Sequence, residues 1–164
     1  MKFTLLTHAR EFDKRSNTGR VVVDVLGGAV EQVLWDRVRP PVRLVEEIEA
    51  GGVALIYPGA ADAKGEDLTG IRQVILIDGT WQEARKIHQR SPYLHKLRRL
   101  CLETSEKSVY NLRKNQKECG LCTAECIIEI LRITGDILQS ERLKEQFLLF
   151  IRPLGALRGE VQGH

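Results

Sequence analysis

Asp78-Gly79-Thr80-Trp81 follows an apolar run, Gln73 to Ile77, and is the part of this sequence best placed to do chemistry. A continuous apolar run that ends in Asp-Gly predicts a central parallel strand covered on both faces, with the aspartate at its carboxyl end. In open α/β sheets, ligands bind beyond such ends. A carboxylate held there can accept a proton or pair with an ammonium group. Trp81 adds a large flat face for stacking. Each residue also has an ordinary structural reading: aspartate before a helix is a common N-cap, and tryptophan is commonly core. Thr80 can bond a ligand or cap the helix that starts there. A second strand end, Tyr57-Pro58-Gly59-Ala60, offers small residues that let a backbone approach a ligand closely.

Other patterns narrow the chemistry. The sequence has no Gly-x-Gly-x-x-Gly, no Walker lysine and no Gly-x-Ser-x-Gly, so neither a dinucleotide fold, a phosphate loop nor a serine hydrolase is supported. His8 and His88 have no nucleophile beside them in sequence. The four cysteines are Cys101, Cys119, Cys122 and Cys126. Cys119-x-x-Cys122 resembles half of a zinc site, but a structural zinc wants four ligands, usually as two separated pairs. Cys122 and Cys126 lie four apart on an apolar helical stretch and suit burial as small hydrophobes. No metal site is expected, and in a cytosolic chain the thiols should be reduced.

The elements that must position these residues follow from periodicity and punctuation. Strands are predicted at Phe3 to Thr7, Val30 to Trp35, Val53 to Tyr57, Gln73 to Asp78 and Arg99 to Leu102. Helices are predicted at Val42 to Glu49, closed by Gly51-Gly52, and at Thr80 to Gln89, Leu121 to Thr134 and Ser140 to Ile151. The last carries Leu143, Phe147, Leu148 and Phe150 at core spacing. His8 to Ser16 reads as a charged loop, Thr18 as a cap, and Val21 to Leu26 as helix or strand. Strands alternating with helices predict an α/β domain with a mostly parallel sheet flanked by helices. With no linker or repeat, residues 1–164 are expected to form one domain.

Length, 164 residues, suits one domain with a single core. Hydrophobic residues at 43% and charged residues at 29% exclude a disordered tail or fibre. No apolar run approaches the roughly 20 residues of a membrane span, and the first residues are too weakly apolar for a signal peptide. A cytoplasmic protein without a membrane partner is expected. The net charge of +3 is too small to prove nucleic-acid binding. Local clusters say more: Arg10, Lys14, Arg15 and Arg20, then Lys86 to Arg99, then Lys107 to Lys117.

Three ordered segments resemble one known family. Ile75 to Lys86 contains the Asp-x-Thr-Trp signature of the DTW-domain family. Leu5 to Glu11, with His8-x-x-Glu11, followed by Asn17-Thr18-Gly19-Arg20, resembles its first motif. Tyr110-Asn111-Leu112-Arg113-Lys114 and Leu121-Cys122-Thr123-Ala124-Glu125 resemble its last. The chain departs from the family pattern at Cys122, where serine is usual, and it starts almost at the first motif, without the cysteine-rich segment that often precedes it.

The resemblance implies a tRNA-uridine aminocarboxypropyltransferase. Such enzymes move the 3-amino-3-carboxypropyl group of S-adenosyl-L-methionine onto N3 of uridine. It also implies kinship with the SPOUT superfamily, and hence a trefoil knot near the C-terminal half. The implied partner is tRNA and not DNA. Asp78 is then the catalytic candidate, either taking the N3 proton or holding the cofactor ammonium. Tyr57, Pro58, Gly59, Thr80, Trp81, Leu121 and Thr123 are the cofactor candidates, and Arg10, Arg20, Arg113 and Lys114 the RNA candidates. Because N3 lies on the Watson–Crick edge, the target uridine must be unpaired or flipped out. Other readings stay open: SPOUT-type RNA methylation, aminocarboxypropyl transfer to rRNA, or a non-catalytic RNA- or metal-binding module.

Overall fold

The computed structural model describes residues 1–57, 63–64, 67–102 and 121–162, with backbone alone at 63–64 and 154–162. Six strands form one sheet: β1 (Lys2–Thr7), β2 (Val30–Leu34), β3 (Val53–Ile56), β4 (Ala63–Lys64), β5 (Gln73–Asp78) and β6 (Arg98–Cys101). Their order is β2-β1-β5-β3-β6-β4, and every pairing is parallel. The apolar run at Gln73 thus becomes an inner strand, bonded to β1 on one side and β3 on the other.

The described residues form six α-helices, four between strands, α1 (Ala9–Phe12), α2 (Gly19–Leu26), α3 (Val42–Glu49) and α4 (Trp81–Gln89), and two after the last strand, α5 (Thr123–Ile133) and α6 (Ile137–Gln162). Alternation along the strands sends side chains to two separate cores. Phe3, Leu5, Val74 and Leu76 pack with Val21 and Val22 of α2, Ala124, Ile127 and Ile130 of α5, and Leu143 and Phe147 of α6. Leu6, Leu55 and Ile75 pack on the opposite face with Leu44 and Ile48 of α3, Ile87 of α4, and Leu94 and Leu97. Burying both faces is why β5 reads as a continuous apolar run.

Several expectations need correction. The charged loop after β1 contains the helical turn α1. Val21 to Leu26, left open between helix and strand by its sequence, is helix within α2, with its apolar face against α6 and the sheet. Thr18 stands at the head of α2 but its side chain makes no cap bond. Its Oγ1 instead accepts from the Ala124 N–H at 3.3 Å, which ties α2 to α5. The last helix starts earlier than predicted and carries Pro153 inside it. Leu143 and Phe147 are core as expected, whereas Leu148 is 44% exposed.

Candidate active site

Four adjacent strands end side by side at the carboxyl edge of the sheet. In spatial order they lead into Trp35 after β2, His8 after β1, Asp78 at the end of β5 and Tyr57 after β3. Backbone bonds hold these residues in place. The Trp35 N–H donates to the Thr7 carbonyl at 2.9 Å, the His8 N–H to the Asp78 carbonyl at 3.1 Å, and the Tyr57 N–H to the Leu100 carbonyl at 3.1 Å.

Asp78 is fully buried. Thr7 is its register partner in β1, so both side chains face the α2–α5 core. The Thr123 hydroxyl, on the first turn of α5, donates to Asp78 Oδ1 at 3.1 Å. Thr7 Oγ1 lies 3.4 Å from Oδ2 and receives a hydrogen bond from the Gln32 side chain, also at 3.4 Å. A β-carbon at Gly19 would meet Oδ2 at 3.1 Å and Asn17 Oδ1 at 2.9 Å, so α2 comes this close only because Gly19 has no side chain. Asp78 therefore joins β1, β5, α2 and α5 from inside. It is not the helix cap: Thr80 is.

The Thr80 hydroxyl accepts from the Glu83 N–H at 3.2 Å, and Glu83 Oε1 accepts from the Thr80 N–H at 2.9 Å, a complete capping box. It fixes the start of α4 and with it Trp81, which is half-buried and not core. Trp81 meets Tyr57 with ring centroids 5.7 Å apart. Tyr57 also stacks on His88 at 4.4 Å, and His88 lies 4.9 Å from His95. Burial pushes the Tyr57 hydroxyl up in pKa, against the pull of Arg85 and Arg99, so it stays protonated at neutral pH. Burial, then the charges of His95 and Arg99, push His88 down and favour its neutral ring.

A second polar group stands beside this wall. Glu83 Oε2 lies 3.1 Å from His8 Nδ1, and both side chains are mostly buried, at 12% and 15% exposure. The His8 ring stacks on Trp35 at 6.0 Å, with 24° between planes. The Trp35 indole Nε1–H in turn donates to Ser91 Oγ at 2.9 Å. Desolvation works to raise Glu83, but the two bonds to Thr80, the His8 charge and a bond with Glu11 outweigh it and lower its pKa. Glu11 is buried and pairs with Lys14 at 2.7 Å.

The remaining candidates divide. Thr123 is buried against Asp78 and Leu121 packs partly into the core. Arg10 and Arg20 are exposed, and Arg20 Nη2 reaches the Asp13 carbonyl at 3.5 Å. Pro58, Gly59, Arg113 and Lys114 lie outside the described residues, as does Cys119. Cys122 and Cys126 are buried thiols outside any disulfide, as their spacing predicts. Burial and the Glu125 carboxylate push Cys122 well above the usual thiol range. Cys101 departs from the expectation of reduced thiols: it is disulfide-bonded. Among the described residues, no group of three histidine, cysteine or acidic side chains is placed to hold a metal.

Sequence reasoning missed the His8–Glu83 pair and the Tyr57–His88 stack. Both signals were present. His8 follows β1 as Asp78 ends β5, and adjacent parallel strands bring their ends together. Trp81, Arg85 and His88 fall at helical spacing on one side of α4.

Comparison with known proteins agrees with the motif pattern. The DTW domain model matches residues 1–154. The chain belongs to the DTW-domain family. Similar curated proteins carry the name tRNA-uridine aminocarboxypropyltransferase 2. One from Drosophila melanogaster is 34% identical over 106 residues, covering 63% of this chain and 40% of that protein. One from Macaca fascicularis is 32% identical over 111 residues, covering 65% and 35%. One from Mus musculus is 31% identical over 121 residues, covering 71% and 39%. The chain thus matches well under half the length of these relatives. No solved structure matches it.

Proposed function

We propose that this DTW-domain protein transfers the 3-amino-3-carboxypropyl group of S-adenosyl-L-methionine to N3 of a uridine in tRNA. The observation that carries the reading is family membership across 1–154, with the motif residues His8, Asp78, Thr80 and Trp81 converging on one sheet edge. The relatives' shared name supplies the reaction and the tRNA substrate. Kinship with SPOUT proteins and a trefoil knot belong to the same reading and rest on the family resemblance.

The residues present suit such a donor. The Tyr57 and Trp81 rings offer half-buried faces for an adenine or for the sulfonium charge. Pro58, Gly59, Leu121 and Thr123 complete the assigned cofactor set. Arg10, Arg20, Arg113 and Lys114 are assigned to RNA. Asp78 has two direct roles open to it, proton acceptor or partner of the donor ammonium, and both require its carboxylate to reach substrate. Its complete burial favours a third: it sets the positions of Thr7 and Thr123 and, through the Thr7–Asp78 strand end, of His8. No helix among the described residues is long and apolar enough to cross a membrane. Work on tRNA in the cytoplasm is the setting this reading entails.

The test uses unmodified bulk tRNA and, separately, unmodified rRNA, each with S-adenosyl-L-methionine labelled either in its carboxyl group or in its methyl group. Carboxyl label in RNA is the expected result. Methyl label alone means RNA methylation, transfer only to rRNA means a different substrate, and no label from either donor ends the transferase reading.

A further inference from the structure

We propose that His8 is the base that removes the N3 proton of the target uridine, with Glu83 holding its ring in the productive tautomer. The inference rests on the transferase reading above and adds to it a catalytic residue.

Among the polar side chains at this edge, Asp78 is fully enclosed while His8 keeps 15% of its side chain exposed. The ring is fixed on two sides, by the Trp35 face and by Glu83. Nδ1 lies 3.1 Å from Glu83 Oε2 and 3.1 Å from the Arg10 N–H. It can donate to the first or accept from the second, but not both. When Nδ1 carries the proton it donates to Glu83, and Nε2 is left with a lone pair. Nε2 makes no hydrogen bond among the described residues. A nitrogen base oriented by a carboxylate on its other nitrogen is the recurring arrangement for activating a weak nucleophile. The charged groups facing His8 are Glu83 from α4 and, behind it, Glu11 with Lys14. The capping box with Thr80 keeps the Glu83 oxygens aimed, so Glu83 cannot swing away without unmaking the start of α4.

The step balances. The N3–H bond breaks and its proton passes to Nε2, giving an imidazolium. The N3 electron pair forms a bond to the γ-carbon of the donor's methionine portion. The γ-carbon–sulfur bond breaks with its pair going to sulfur, which leaves as a neutral thioether. The imidazolium then loses its proton to water.

His8→Asn is the informative variant: a histidine whose Nδ1–H faces Glu83 does not accept the Arg10 N–H, and asparagine, which can accept it at the head of α1, keeps that turn while supplying no base. The wild type and the variant are compared on one tRNA transcript, and on the same transcript made with 5-fluorouridine, whose N3 is more acidic. Transfer to the ordinary transcript is expected to fall about a hundredfold, the scale of lost acid–base catalysis. Binding of donor and tRNA should stay near wild type. Raising the pH, or using the 5-fluorouridine transcript, should restore much of the lost rate, since N3 then needs less help. A positioning role for His8 would give a loss that neither change repairs, and would overturn the proposal. Wild-type-like transfer by the variant overturns it too. In Glu83→Gln, nitrogen-15 NMR of the His8 ring should show the Nδ1–H tautomer giving way to Nε2–H, and an unchanged tautomer would remove Glu83 from the scheme. If wild type transfers nothing to any tRNA, the transferase reading fails and this proposal with it. If wild type is active and His8→Asn equally so, only this proposal fails.

Discussion

Asp78 shows how a residue type can be read correctly and its role misjudged. Its place at a strand end was legible, because an apolar run closed by Asp-Gly has few other readings. Its burial was not, because enclosure comes from Gly19 and Thr123, which are 59 and 45 residues away in sequence. Asp78→Asn separates enclosure from direct chemistry. The swap keeps the shape but places an amide where two threonine hydroxyls donate, and a buried group left badly bonded costs about 1–3 kcal/mol. For a chain of this size that corresponds to a melting temperature lower by several degrees. Such a drop together with weakened transfer is expected from calorimetry and the label assay. An unchanged melting temperature with a hundredfold slower transfer would instead place the carboxylate on the substrate.

At the scale of elements, local punctuation was most informative where the partner was nearby. The α4 start is a Thr-x-x-Glu box within four residues, and the α3 bounds fall where the apolar spacing and Gly51-Gly52 put them. It misled at Thr18, whose hydroxyl serves a helix more than a hundred residues downstream, and at α1, which is too short to show a period. Gly19 is the sharpest case of a residue whose reason is distant. It opens α2 and at the same time lets that helix approach Asp78. Gly19→Ala would raise the helix-forming tendency of α2, a gain of at most about 1 kcal/mol at this first helical position. The added methyl would sit 2.9 Å from Asn17 Oδ1 and 3.1 Å from Asp78 Oδ2, and overpacking of that kind costs about 1–3 kcal/mol. A net loss of stability in urea denaturation is expected. A stabilised variant would mean that α2 can move away from the carboxylate at little cost.

For the whole molecule, the sheet was legible and its strand order was not. Strand–helix alternation predicts a parallel sheet, and the two-sided burial of β5 follows from its composition. The edge that results lines up Trp35, His8, Asp78 and Tyr57, residues spread across half the sequence, and only strand order could have placed them together. Charge has to be read on the same scale. A net +3 gives almost no attraction to a polyanion at a distance, so the proposed tRNA substrate would have to be held by cations gathered near the edge. Arg10 and Arg20 qualify, being exposed and close in sequence to His8. Each phosphate contact contributes to the fall of log affinity with log salt, by somewhat under one unit per contact. The Arg10→Ala, Arg20→Ala double variant should therefore bind every tRNA more weakly and lower that slope by about one to two units. Fluorescence titration at several salt concentrations measures both. A double variant with the wild-type slope would take these arginines out of the RNA interface. The cationic surface would then have to lie elsewhere on the chain, with Arg113 and Lys114 the next to be tested.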